Sequence, residues 1–261
     1  MTRRIPFAPT LVLAAAVVVA ACGGSSAPPL TDPTEIVTAA LTSTAAAKSV
    51  HIDATLDGTM SIAMPGAGGA AAPIKLDGTT AAADLDIAGH AAKVTFTAPA
   101  LFNITGELIV VDGKAYLKTS LQGPQYEVLD LGGQSLPIDP SNTGAIVDAL
   151  GDFLLQPGVD PVKGDDVACG STQCYTVTAD LTAEELAALG LGAVPGLPVD
   201  VTGASLAVTV RVEKDLPHHL AGLTFVVTTG DANALTVDAI MSRWDAPVSI
   251  SAPPADQIKP A

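Results

Sequence analysis

The chain has 261 residues, of which 48% are hydrophobic and only 3% aromatic, and its 12 Lys and Arg face 27 Asp and Glu for a net charge of −15. A surface this acidic repels phosphate backbones and anionic headgroups, which excludes nucleic-acid binding as a role. With three cysteines and four histidines, the chain is poor in thiols and imidazoles.

The first element is an export signal. Arg3 and Arg4 form a charged start, Leu11 to Ala21 is an apolar run of 11 residues, and small residues lead up to Cys22. That is the layout of a secretory signal peptide, and the run is too short to cross a membrane, which takes about 20 apolar residues. Val19-Ala20-Ala21-Cys22 resembles the lipobox of bacterial lipoproteins, in which cleavage makes the cysteine the first residue and its thiol carries a diacylglycerol. The resemblance implies residues 1–21 as signal peptide, Cys22 as lipid anchor, and a location on the outer face of the cell membrane within the envelope. Removing residues 1–21 takes away two arginines and no acid, which leaves 10 basic against 27 acidic residues and a net charge of −17.

Residues 22–31 hold "CGGSSAPPLT", a flexible tether, before a folded domain over 32–250 and a C-terminal tail over 251–261. Asp32-Pro33-Thr34-Glu35 reads as a helix start, with Asp as cap, Pro in the first turn and Glu at the capping-box position, opening a helix to about Lys48. Period-two patterning then begins. In "VHIDATLDGTMSIAM" the even positions Val50, Ile52, Ala54, Leu56, Met60, Ile62 and Met64 are apolar, while His51, Asp53, Thr55, Asp57, Thr59 and Ser61 are polar. This is a long strand with one dry and one wet face. "MPGAGGAAAPIK" after it reads as a low-complexity loop that matches no phosphate-binding pattern.

Further strands are expected at 74–88, 92–99, 104–112, 114–120, 125–130, 159–169, 174–180, 200–214, 219–230 and 233–245, joined by Gly, Pro and Asp turns into an antiparallel meander. Two helices interrupt it, "SNTGAIVDALGDFLL" capped by Ser141 and "TAEELAAL" capped by Thr182. Cys169 and Cys174 flank a turn in "VACGSTQCYTV" and read as a disulfide across a hairpin; a zinc half-site would need a second Cys or His pair that the chain lacks. Asp165-Asp166 and Asp84/Asp86 read as solvated carboxylates, His218-His219 as a turn pair unsuited to chelation, and Trp244 as a core-edge residue. There is no GxSxG elbow and no HExxH, so no catalytic residue, metal or cofactor is assigned and the chain is not read as an enzyme.

The ordered set of lipobox cysteine, Ser/Gly/Pro tether, helix into "SVHIDATLDG", "VVDGKAYLK", a mid-chain helix near 145–155, "TADLTAEELAAL" and a last strand ending "MSRWD" resembles the mycobacterial LppX/LprG-type lipoproteins. That resemblance implies an α+β, LolA/LolB-like fold: one strongly curved antiparallel sheet of about ten or eleven strands, a half-open barrel, with helices covering its concave face over an apolar cavity. It further implies a monomer that binds and transfers multi-acyl lipids or glycolipids, with the dry face of the first strand, Ile52, Ala54, Leu56, Met60 and Ile62, lining the acyl site. The Gly/Ala insertion and the Cys169–Cys174 pair depart from the family pattern. Composition is compatible with acyl guests, because a face of Ala, Val, Leu and Ile offers non-directional burial and few rings for sugars or bases to stack on. The alternatives are an envelope scaffold or interaction lipoprotein whose sheet packs on its helices with no cavity, and a secreted hydrolase of unrecognised type.

Overall fold

The structure, a computed structural model, describes residues 28–63, 71–129, 143–188, 203–229 and 232–260. Cys22, most of the Gly/Ala stretch and Ser141 lie outside those residues. Helix α1 (Pro33–Ala46) begins where its cap dictates, with the Asp32 carboxylate accepting hydrogen bonds from the Thr34 and Glu35 backbone N–H groups at 2.8 and 3.0 Å. Its buried residues Ile36, Val37, Ala40, Ser43 and Thr44 recur at helical spacing and face the sheet.

Among the described residues thirteen strands then form one sheet: β1 (Ser49–Ala63), β2 (Ala71–Lys75), β3 (Thr79–Asp86), β4 (Ala91–Ala98), β5 (Ile104–Val111), β6 (Lys114–Thr119), β7 (Glu127–Leu129), β8 (Val162–Lys163), β9 (Val167–Cys169), β10 (Thr172–Leu181), β11 (Ala204–Glu213), β12 (Leu220–Thr229) and β13 (Ala232–Ser242). Helices α2 (Thr143–Leu154) and α3 (Ala183–Ala188) are inserted among them. The sheet order is β7-β6-β5-β4-β3-β1-β13-β12-β11-β10-β8, with every strand pairing antiparallel, β2 added to β1 and β9 to β10. The first and last strands of that path do not pair: the sheet is curved and unclosed, and with its few helices it makes an α+β architecture.

The strand count exceeds the ten or eleven expected because two expected strands are each broken in two. The turn at Leu76–Gly78 separates β2 from β3, and residues between Lys163 and Val167 separate β8 from β9. The Gly/Ala stretch is also not wholly loop. Beyond Gly58 the partner of β1 changes from β13 and β3 to β2, so Ala71–Lys75 folds back and satisfies backbone groups that would otherwise form a free edge.

On the concave face, α1, α2 and α3 pack on β10 to β13 through Ile36, Val37, Leu154, Leu186, Val177, Val208 and Val210, each at most 1% exposed. A second concave cluster, including Val50, Leu85, Ala92 and Ala115, fills one end of β1 and β3 to β6. The C-terminal residues do not trail away. Ile250 and Ile258 cover Ala91, Ile109, Val111, Tyr116 and Tyr126 on the convex face, and Tyr126 exchanges backbone hydrogen bonds with Gln257 and Lys259 at 2.7 and 2.8 Å.

Candidate functional site

Cross-strand register assembles the site. Reading across the sheet through paired positions, one row runs Gly106, Phe96, Ala81, Ala54, Ala239, Leu223, Val210 and Val177, from β5 to β10. Val210 and Val177 are buried beneath the helices, whereas Phe96, Ala81, Ala54, Ala239 and Leu223 are half-buried. Next to it lie the rows Leu108, Val94, Ala83, Ile52, Met241 and Leu56, Val237, Phe225. The middle of the concave face is therefore an apolar trough with three adjacent alanines as its floor and Phe96 and Leu223 as shoulders. Small floor residues leave the concavity unfilled from the sheet side.

Gly106 shapes one shoulder. A Cβ there would stand 2.2 Å from the Phe96 ring, so only glycine lets that ring lie flat across β5. Of the five residues expected to line the site, Ile52, Ala54 and Leu56 share this face. Met60 and Ile62 belong to the β2-paired extension of β1, opposite Ile74 and Ala72, and their side chains lie outside those described. Single-strand periodicity missed Ala81, Ala239, Phe96 and Leu223; alternation in "TTAAADLD" and "ANALTVDAIM" carried a signal for their faces but not for their adjacency.

Polar groups are gathered on the convex face and the sheet margins. His51 places Nδ1 2.6 Å from Asp84 and Nε2 3.3 Å from Asp53, and Arg243 reaches Asp84 at 3.3 Å. Asp84 is thus a solvated carboxylate, as expected, that also pairs with His51 and Arg243. His51, Asp84, Arg243, Lys93 and the chain from 246 to 250 outline a pocket of about 200 Å³. Asp86 accepts from the Gly89 N–H at 2.8 Å, and Asp166 is held by Lys163 and Lys214, whose hydrogen bonds lower its pKa. Glu107 is subject to burial, which raises its pKa, but the Tyr126 hydroxyl at 2.5 Å and the charges of Lys93 and Lys118 outweigh it, leaving the carboxyl below its ordinary range.

His218 and His219 are both buried, 7 and 8% exposed. The His219 ring stacks on Trp244 at 4.9 Å, and the Trp244 indole N–H donates to the Leu220 carbonyl, which makes Trp244 a strut of the core edge. The His218 carbonyl accepts from Ser43 and ties α1 to the β11–β12 turn. Cys169 and Cys174 are bonded, their Cα atoms 5.8 Å apart on diagonal positions of the β9–β10 hairpin. Thr182 and Glu185 form the capping box that opens α3, with the Thr182 N–H donating to the Glu185 carboxylate at 2.7 Å. Among the described residues no group of three or more His, Cys, Asp or Glu is placed to hold a metal, and no helix is long and apolar enough to cross a membrane.

No protein-family model matches the chain, and no curated protein sequence matches it. Among solved structures it is similar to LprF from Mycobacterium bovis, with a TM-score of 0.52 and 19% identity over 87% of this chain and 99% of that one. The Mycobacterium tuberculosis lipoprotein LppX follows at 0.46 and 17%, over 85 and 100%, and a LolA-superfamily protein from Nitrosomonas europaea at 0.28 and 10%, over 88 and 99%. At these identities the likeness is one of fold, and LprF carries it.

Proposed function

We propose that this chain, which shares the LppX/LprG-type, LolA-like fold of LprF, is an exported lipoprotein that binds multi-acyl lipids or glycolipids in its concave trough and carries them between membrane and acceptor in the cell envelope. In this reading residues 1–21 are cleaved, Cys22 carries the lipid anchor, and residues 22–31 tether the folded body. The observation that carries the proposal is the alanine-floored row Ala81, Ala54, Ala239 between Phe96 and Leu223, apolar and only half-buried on the concave side of a sheet whose polar residues face the other way.

Acyl chains need only apolar surface without water. Each CH₂ buried is worth about 0.8 kcal/mol, so a C16 chain gains of order 10 kcal/mol before the costs of ordering it. No bond is made or broken; the work is desolvation during transfer. The test is native mass spectrometry and solvent extraction of protein produced in an actinobacterial host, followed by vesicle-to-vesicle lipid transfer. A copurifying acylated lipid and transfer above the protein-free rate are expected. Protein free of lipid together with flat transfer would refute the carrier and leave the cavity-free scaffold.

A further inference from the structure

Two hydrophobic side chains stand out at one end of the sheet. Phe102, in the β4–β5 turn, is 93% exposed, and Leu121, in the β6–β7 turn, is 71% exposed. The turns are neighbours: the Ser120 N–H donates to the Thr105 carbonyl at 2.8 Å, and the Thr105 N–H to the Ser120 hydroxyl at 3.1 Å. Phe102 is one of only five phenylalanines, and it sits at φ +60°, with Asn103 at +53°. A bulky side chain in the left-handed region is strained, and the 93% exposed ring gains almost no packing among the described residues to offset it. Its neighbour Leu101 turns the opposite way and packs on the main core.

The charge pattern indicates what these tips meet. Residues 94–106 and 119–126 contain no Asp, Glu, Lys or Arg, in a chain of net charge −15. Asp57 on β1 and Asp77 on the adjoining turn accept hydrogen bonds from the Gly78 and Gly58 N–H groups, which hold them against the backbone, and Glu127 accepts one from the Gln122 side chain at 3.1 Å. Two protruding side chains on narrow turns offer too little area for a stable protein interface. An aromatic and an aliphatic tip on turns that themselves carry no charged residue suit the boundary between headgroups and acyl chains. The turns also lie at the end of the trough marked by Phe96 and Gly106, one strand-end from Phe102.

We propose that Phe102 and Leu121 form a membrane-docking edge that inserts into the headgroup boundary of a zwitterionic bilayer and sets the Phe96–Gly106 end of the trough against it. The insertion is apolar rather than electrostatic, so anionic lipid weakens it. The proposal deepens the carrier reading and rests on it only for what passes through the trough.

The experiment uses the full chain with Phe102→Trp, Leu121→Trp or Leu216→Trp, each substitution being at an exposed turn. Leu216, 61% exposed in the β11–β12 turn, lies at the opposite end of the strands, roughly 30 Å away. Vesicles of phosphatidylcholine brominated along the acyl chains are added, and the Trp244 signal of the parent protein is subtracted. Phe102→Trp and Leu121→Trp are expected to shift to the blue and lose at least half of the added emission, Leu216→Trp to change by less than a tenth, and 30% anionic lipid to reduce the effect. Absence of quenching at the first two positions, or equal quenching at all three, overturns the docking edge. So does emission that follows protein concentration rather than lipid, which would mark contact between copies. Solvent extraction of the same preparations reads the carrier function separately, so docking without a copurifying lipid and a lipid without docking are distinct results.

Discussion

Replacing Ala54 by tryptophan separates a trough that holds a guest from a filled core. Ala54 is half-buried and flanked across the sheet by Ala81 and Ala239, so an indole projecting from β1 meets two methyl groups at its sides and enters the space above this face. If acyl chains occupy that space, the ring removes roughly 200 Å² of guest contact, worth about 5 kcal/mol at 25 cal/mol per Å². Affinity then falls by about a thousandfold to ten-thousandfold, while the empty protein melts within a degree or so of the parent. If side chains fill the space instead, overpacking costs about 1 to 3 kcal/mol and lowers the melting temperature by roughly 2 to 12 °C. Calorimetry of delipidated protein and lipid quantitation after extraction read the two arms. Thr55→Trp, on the exposed convex face between Asp238 and Thr80, should do neither. A drop of several degrees at Ala54 with lipid content unchanged would refute the assignment of this face.

Burial of Glu213 raises its pKa above the ordinary 4.5, with Asp215 adding to the rise and His219 opposing it. Because the folded protein holds that proton more tightly, the group's stabilising effect is present below pH 4.5 and lost as pH rises through the folded value; Glu213→Gln should therefore melt higher than the parent at neutral pH and equal it near pH 4. The Cys169–Cys174 bond closes a loop of sequence separation 5, for which chain entropy gives about 2 kcal/mol, so a double Ser variant should fold yet melt several degrees earlier. Two free thiols by Ellman titration of unfolded, unreduced protein would contradict the bond. Cys22→Ser should move the protein from the detergent to the aqueous phase of a phase separation with its melting curve unchanged, and persistent detergent partitioning would contradict the anchor.

Local chemistry was readable without coordinates wherever the forces are local. Asp32 begins α1 because its carboxylate meets N–H groups two and three residues on, Thr182 and Glu185 open α3 within one turn, and Cys169 and Cys174 are joined across a hairpin only a few residues long. Alternation likewise placed Ile52, Ala54 and Leu56 on one face, since side chains in a strand alternate whatever the partner.

What alternation could not supply is the partner. That Ala54 faces Ala81 and Ala239, and so becomes the floor of a trough, depends on the registers of β3 and β13, which lie about 30 and 185 residues away and are set by packing. The same non-local terms moved or extended other assignments. The unpaired end of β1 recruited Ala71–Lys75 from a stretch that reads as loop; Asp84 found His51 and Arg243; and the C-terminal residues found an apolar patch at Ile109, Tyr116 and Tyr126. Phe102 and Leu121 lie 19 positions apart, and only the β5–β6 pairing makes them one exposed edge. Sequence by itself determined which faces are dry and where helices start, because those follow from neighbours along the chain. Tertiary structure decided which dry residues meet, because burial rewards contacts that the chain must bend to make.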